Sequence, residues 1–116
     1  MQTQLNELQM RIKAAAANDE RLAIHGGGSK LFYGEPLHGT PLEVGGYRGI
    51  VAYEPSELYL TARCGTPLAE IEAALSEQRQ MLAFEPPRFA AATAGGCVAT
   101  ALAGPRRAYA GAVRDY

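Results

Sequence analysis

The stretch Thr93-Ala94-Gly95-Gly96-Cys97-Val98-Ala99-Thr100-Ala101-Leu102-Ala103-Gly104-Pro105-Arg106-Arg107 carries no charge until its end, where two arginines stand together. Glycine and alanine let a backbone approach another group closely. The arginine pair just beyond suits a phosphate or a carboxylate. A helix through Ala103 is expected, opened by Gly95 and Gly96 and broken by Gly104-Pro105. If the helix opens on those glycines, its first N–H groups face an anion; the plainer reading is tight packing against a neighbour.

Far upstream lies a second run poor in side chains, His25-Gly26-Gly27-Gly28-Ser29-Lys30. It follows the strand-like residues 21–24, and a strand running into glycines is a common way to present N–H groups to a phosphate. The GxxxxGK[ST] and GxGxxG spacings are both missing. Three glycines alone fit an ordinary turn equally well. Both runs folding around one extended anionic cofactor is the sharper expectation, with Lys30 either a phosphate ligand or solvated and His25 structural.

The rest of the 116 residues reads as a small α+β unit. Leu5, Leu8 and Ile12 recur at helical spacing, which predicts a helix over residues 3–17 ended by Asn18-Asp19. Residues 31–39 read as loop and 41–44 as a short strand. Residues 49–54 and 58–64 form a hairpin across Pro55-Ser56-Glu57. Thr66 then caps a helix with Pro67 in its first position and Leu68, Ile71 and Leu75 on its apolar face. Met81-Leu82-Ala83-Phe84 reads as a buried strand, so residues 58–84 have β-α-β order with parallel outer strands if they share a sheet. Residues 88–94 read as loop, and residues 113–116 as the start of another strand.

Length and composition bound the function. The chain is one domain's worth of residues, 47% hydrophobic with net charge −1. That balance argues against general nucleic-acid binding. After residue 80 the charged side chains are Arg88, Arg106, Arg107 and Arg114 against Glu85 and Asp115, so an anion site belongs in the last third. Cys64 and Cys97 are far apart, without a CxxC motif. Buried free thiols are expected, and no metal site. The polar N-terminus shows no signal peptide and no apolar run approaches a membrane span, so a cytoplasmic protein is expected.

In this order, His25 to Lys30, Thr61-Ala62-Arg63-Cys64-Gly65-Thr66-Pro67-Leu68-Ala69-Glu70-Ile71, Phe84-Glu85-Pro86-Pro87, Thr93-Ala94-Gly95-Gly96, and Gly104-Pro105-Arg106-Arg107 through Arg114-Asp115 resemble the N-terminal part of a PCMH-type FAD-binding domain of the vanillyl-alcohol oxidase family. The likeness covers roughly residues 5–116. It implies the first subdomain of that fold, a small, mostly parallel sheet flanked by helices, with FAD as cofactor. Gly26, Gly27, Gly28, Ser29 and Lys30 would wrap the pyrophosphate. Thr93, Gly95 and Gly96 would pass along the flavin and its phosphates. Gly104, Pro105, Arg106 and Arg107 would lie near the flavin side of the cleft. Some relatives attach flavin to a histidine within the glycine loop; here His25 precedes the loop, so non-covalent FAD is expected.

The family's second FAD subdomain and substrate cap would follow Tyr116, so no catalytic residue is carried over. The resemblance further implies oxidation of a small 2-hydroxy acid such as glycolate, with the other subunits of a glycolate-oxidase-like complex as partners. Through such partners the protein would sit peripherally at the inner membrane. A non-catalytic assembly subunit of a flavin–iron-sulfur complex is the alternative. Apolar surface left without its second subdomain predicts self-association.

Overall fold

A computed structural model describes residues 2–28, 38–86, 91–101, 103–105, 107–111 and 113–116, with the side chains of Arg107 and Asp115 outside that description. The element order is α1 (Gln2–Ala17), β1 (Leu22–His25), β2 (Thr40–Glu43), β3 (Ile50–Glu54), β4 (Tyr59–Ala62), α2 (Leu68–Glu77), α3 (Ala94–Thr100) and α4 (Arg107–Ala110). This is the α+β class. The strands pair as two ribbons, β1 parallel to β2 and β3 antiparallel to β4.

α1 forms where the helical spacing of Leu5, Leu8 and Ile12 places it. It buries only Ala15 fully, while Ile12 is half exposed. The N–H of Glu20 donates to the Ala15 carbonyl and Asp19 takes a left-handed conformation (φ 54°), which stops the helix. Arg11 Nη2 donates to the carbonyl of Pro41 (2.9 Å), tying α1 to β2. Ala23 and Leu42 are the buried positions of the first ribbon.

The β3–β4 hairpin turns through a short 3-10 segment, Pro55–Glu57, and closes with Leu58 in the left-handed region (φ 58°). One face of it packs on the core cluster of Leu68, Ile71, Leu75, Phe84, Ala92 and Cys97, with Tyr53, Leu60 and Ala62 partly buried against it. The amide of Gln80 joins the two parts: the hydroxyl of Tyr53 donates to Gln80 Oε1, and Gln80 Nε2 donates to the Pro55 carbonyl (2.9 Å). Gln80→Leu is expected to cost about 1–2 kcal/mol in urea unfolding by leaving the Tyr53 hydroxyl without its acceptor and the Pro55 carbonyl with the Leu58 N–H alone (3.3 Å). An unchanged midpoint would mean that the bridge does not hold the hairpin.

Four sequence expectations differ from this structure. Pro67, not Thr66, is the N-cap of α2, and no side chain caps that helix. The Thr66 hydroxyl is used elsewhere, as described below. Residues 81–84 are not a strand, so the β-α-β unit does not form. Arg79 turns left-handed (φ 57°), the N–H of Glu85 closes a tight turn on the Leu82 carbonyl (3.1 Å), and Phe84 enters the core by its ring alone. α3 stops at Thr100 instead of Ala103. Ala101 is left-handed (φ 54°), and the Thr100 hydroxyl donates back to the Gly96 carbonyl (3.0 Å). Residues 113–115 form a 3-10 turn in place of a strand, and Tyr116 folds back to set its ring 5.6 Å from that of Phe84.

Candidate functional site

The glycine run begins where β1 ends. β1 is held from one side by β2, the last bond running from the Val44 N–H to the His25 carbonyl (2.8 Å). Beyond that point pairing stops. Among the described residues, the amide N–H groups of Gly26, Gly27 and Gly28 have no hydrogen-bond partner. Gly28 has φ 69°, a conformation that glycine adopts without steric cost. Successive unpaired N–H groups in such a turn form a concave surface for an anion. Ser29 and Lys30 lie outside the described residues.

The second run comes to meet the first. A Cβ on Gly26 would stand 2.7 Å from Thr93 Oγ1, and one on Gly27 would stand 1.6 Å from the carbonyl oxygen of Ala91. The glycine loop and residues 91–93 therefore touch backbone to backbone, with no room for a side chain between them. Thr93 is buried and caps α3, its hydroxyl oxygen accepting from the Gly96 N–H (3.3 Å). That leaves the hydroxyl proton of Thr93 to be donated beside Gly26, since a hydroxyl offers one O–H as well as its lone pairs.

The opening of α3 differs from the sequence expectation. The Ala94 N–H donates to the Thr66 carbonyl (2.9 Å) and the Gly95 N–H to the Cys64 carbonyl (2.8 Å). With the Gly96 N–H on Thr93, the first amides of this helix are satisfied within the chain and do not face an anion. Gly95 is small for a packing reason: a Cβ there would lie 3.0 Å from Cys64 Cβ and 3.1 Å from the Cys64 carbonyl oxygen. Among the described residues, the amides still without a partner in this region are those of residues 26–28.

Gly104 and Pro105 are placed differently. Gly104 sits on the turn after α2, its N–H donating to the Phe84 carbonyl (3.1 Å) and its Cα against the Glu85 backbone. Pro105 is exposed in the next turn. No described contact joins either residue to residues 26–28. Arg106 lies outside the described residues, as does the side chain of Arg107, the first residue of α4. Both thiols are free, but only Cys97 is buried; Cys64 is exposed, against the expectation that both would be buried.

Sequence reasoning missed Ala91, whose carbonyl closes on Gly27, Gly65, where a Cβ would lie 2.4 Å from the Val44 carbonyl oxygen, and Gly45, which lies beside the Gly26 carbonyl. A Cβ on Gly45 would be 3.4 Å from the Gly26 carbonyl oxygen. The glycines themselves were the available signal. A separate apolar groove of about 720 Å³ opens beside the hairpin, lined by Tyr53, Leu60, Leu75, Val98 and Tyr116 among others. Among the described residues, neither Thr93 nor the glycine loop lines it. No group of three or more potential ligands could hold a metal ion among the described residues. No helix among them is long and apolar enough to cross a membrane.

Comparison with protein families matches an FAD binding domain over residues 2–116. The chain belongs to the FAD-binding domain family. FAD is accordingly the cofactor of this domain, and the residues present fit it: a diphosphate needs donors without side chains in the way, which the 26–28 loop supplies. The FAD-binding chain is similar to the glycolate oxidase subunit GlcE of Escherichia coli (strain K12), with 50% identity over 107 residues. That alignment covers 91% of this chain and 31% of the relative, so the chain spans about a third of the length of the curated protein it matches. No solved structure matches it.

Proposed function

We propose that this chain supplies the flavin-phosphate cradle of a glycolate oxidase subunit and holds FAD without a covalent bond. The observation that carries the reading is the convergence of the glycine loop, whose amides at residues 26–28 have no partner among the described residues, with Thr93. The likeness to a protein named as a glycolate oxidase subunit supports the substrate class. In this reading Gly26, Gly27 and Gly28, with Ser29 and Lys30, hold the pyrophosphate, whose roughly two negative charges the amide dipoles offset. Thr93 donates its hydroxyl proton to the cofactor, and Gly95 and Gly96 form the wall along it. Gly104, Pro105, Arg106 and Arg107 belong to the flavin side. When bound, FAD supplies the hydride chemistry that oxidises a 2-hydroxy acid. The chain's own residues bind and orient it. The other subunits of the oxidase complex are the partners, in a cytoplasmic assembly.

The test is purification of the full chain with its partner subunits, followed by denaturation and ultrafiltration. Flavin is expected in the filtrate as FAD, with glycolate-dependent reduction of an artificial acceptor before denaturation. Flavin retained on the denatured polypeptide would overturn the non-covalent assignment. Bound FAD without glycolate oxidation would overturn the substrate class.

A further inference from the structure

We propose that Thr66 is a positioning residue for the FAD cradle, setting the place of Thr93 beside the glycine loop without touching the cofactor; this rests on the cradle reading above.

Thr66 is wholly buried, at 0% exposure, and it is polar. Its hydroxyl oxygen accepts from the Gly49 N–H (2.9 Å). Its one proton faces the Arg63 carbonyl at 2.6 Å and the Gly49 carbonyl at 3.2 Å, and the shorter contact takes it. The side chain thus closes its own turn and pins the turn that precedes β3. The backbone around it does the rest. The Thr66 carbonyl holds the Ala94 N–H and the Cys64 carbonyl holds the Gly95 N–H, while the Leu68 N–H reaches the Ala92 carbonyl (2.9 Å). Three bonds from residues 64–68 therefore flank Thr93 on both sides, and Pro67 and Thr93 form a bridge pair.

The same turn also fixes the opposite wall. The Gly65 N–H donates to the Tyr47 carbonyl (2.9 Å), and Gly45, in that loop, lies against the Gly26 carbonyl. Both neighbours of the glycine loop are thus hung on residues 64–68, a segment that the buried Thr66 hydroxyl ties to Gly49. Without the hydroxyl the Gly49 N–H loses its acceptor, whereas the Arg63 carbonyl keeps the Thr66 N–H (3.0 Å) and the Gly49 carbonyl keeps the Arg63 N–H (3.0 Å), so the tie from this turn to Gly49 is what is weakened.

The experiment measures FAD affinity of the full chain by flavin fluorescence, at a temperature where each apoprotein is folded by far-UV circular dichroism. Thr66→Val keeps the size and removes the hydroxyl. It is expected to weaken FAD binding by about tenfold or more, an amount in keeping with the loss of a buried hydrogen bond. Amide exchange at Ala94 and Gly95 is expected to quicken in the same protein without FAD. Thr66→Ser restores the hydroxyl and is expected to bind within about twofold of the unmodified chain. Gln80→Leu serves as a variant with lowered stability and an untouched cradle, and its affinity is expected to stay unchanged.

Unchanged binding by Thr66→Val, or an equal loss in Gln80→Leu, overturns the positioning role. Gly27→Ala separates that failure from failure of the cradle itself. If Gly27→Ala loses FAD while Thr66→Val does not, the cradle stands and the positioning role falls. If Gly27→Ala retains FAD, the cradle reading falls. Should Thr66→Val not fold, Thr66→Cys carries the same comparison: the thiol is a weak donor, and binding intermediate between serine and no uptake is expected, binding equal to serine the result that overturns the role.

Discussion

Gly27→Ala abolishes FAD uptake while leaving the secondary structure of the domain in place. The added methyl would stand 1.6 Å from the Ala91 carbonyl oxygen, 2.5 Å from its carbon and 2.8 Å from its Cβ. Two of these atoms are backbone, so neither partner can swing aside as a flexible side chain would. The loop must lift from residues 91–93, carrying the amides of residues 26–28 away from Thr93. A fall in FAD affinity of about a hundredfold or more is expected, because the change removes several N–H contacts to a charged group together. Gly46→Ala is the matched control. Its nearest neighbour would be the side-chain Nε2 of Gln4 at 3.5 Å, an ordinary contact. It is expected to bind FAD as the unmodified chain does. FAD titration of both proteins decides the matter, and full uptake by Gly27→Ala would remove the glycine loop from the phosphate site.

The largest effect on stability is expected at Gly65. Its conformation is not left-handed, so the demand for glycine there comes from contact alone. A Cβ would lie 2.4 Å from the Val44 carbonyl oxygen, 2.7 Å from that of Tyr47 and 2.9 Å from that of Gly45. Three backbone oxygens converge on one hydrogen-sized space. Gly65→Ala is expected to destabilise by about 3 kcal/mol or more, the upper range for overpacking at a rigid site. Against the total stability of about 5–15 kcal/mol usual for a domain, that is a large fraction. It corresponds to a fall in Tm of roughly 10 °C or more for a chain of this size. Thermal and urea unfolding followed by circular dichroism measure it. Coincident curves for the two proteins would mean that residues 44–47 do not close on Gly65.

Much of the fold was legible because local rules and tertiary packing agree. The spacing of Leu5, Leu8 and Ile12 marks α1, that of Leu68, Ile71 and Leu75 marks α2, and Pro55-Ser56-Glu57 marks the hairpin turn. Residues 81–84 misled because a short apolar run reads the same whether its backbone pairs in a sheet or only its side chains are buried. What decides is the left-handed Arg79 and the Gln80 amide, which binds Tyr53 and Pro55 across a gap of more than twenty residues. Residues 113–116 misled in the same way, since Tyr116 packs on Phe84 through its ring.

The approach of the two glycine-rich runs was legible in the sequence; the hydrogen bonds that fix it were not. Two runs without side chains suggested one anionic ligand, and Gly26 does meet Thr93. That the amides of Ala94 and Gly95 are consumed by carbonyls of residues 66 and 64 is a long-range fact with no local signature. Thr66 looked like a helix cap because threonine before proline at a helix start usually is one. Its burial and its three oxygen and nitrogen partners became visible only when Gly49 and Arg63 were brought beside it.

The two sides of the cradle come from different packing centres. Gly26 extends from the ribbon whose buried residues are Ala23 and Leu42, whereas Thr93 adjoins the cluster built on Leu68, Ile71 and Phe84. A molecule gripped by both sides works as a rivet. Under the proposed binding its grip is lost if either half melts, so FAD is expected to make the two halves come apart in one step and at one temperature.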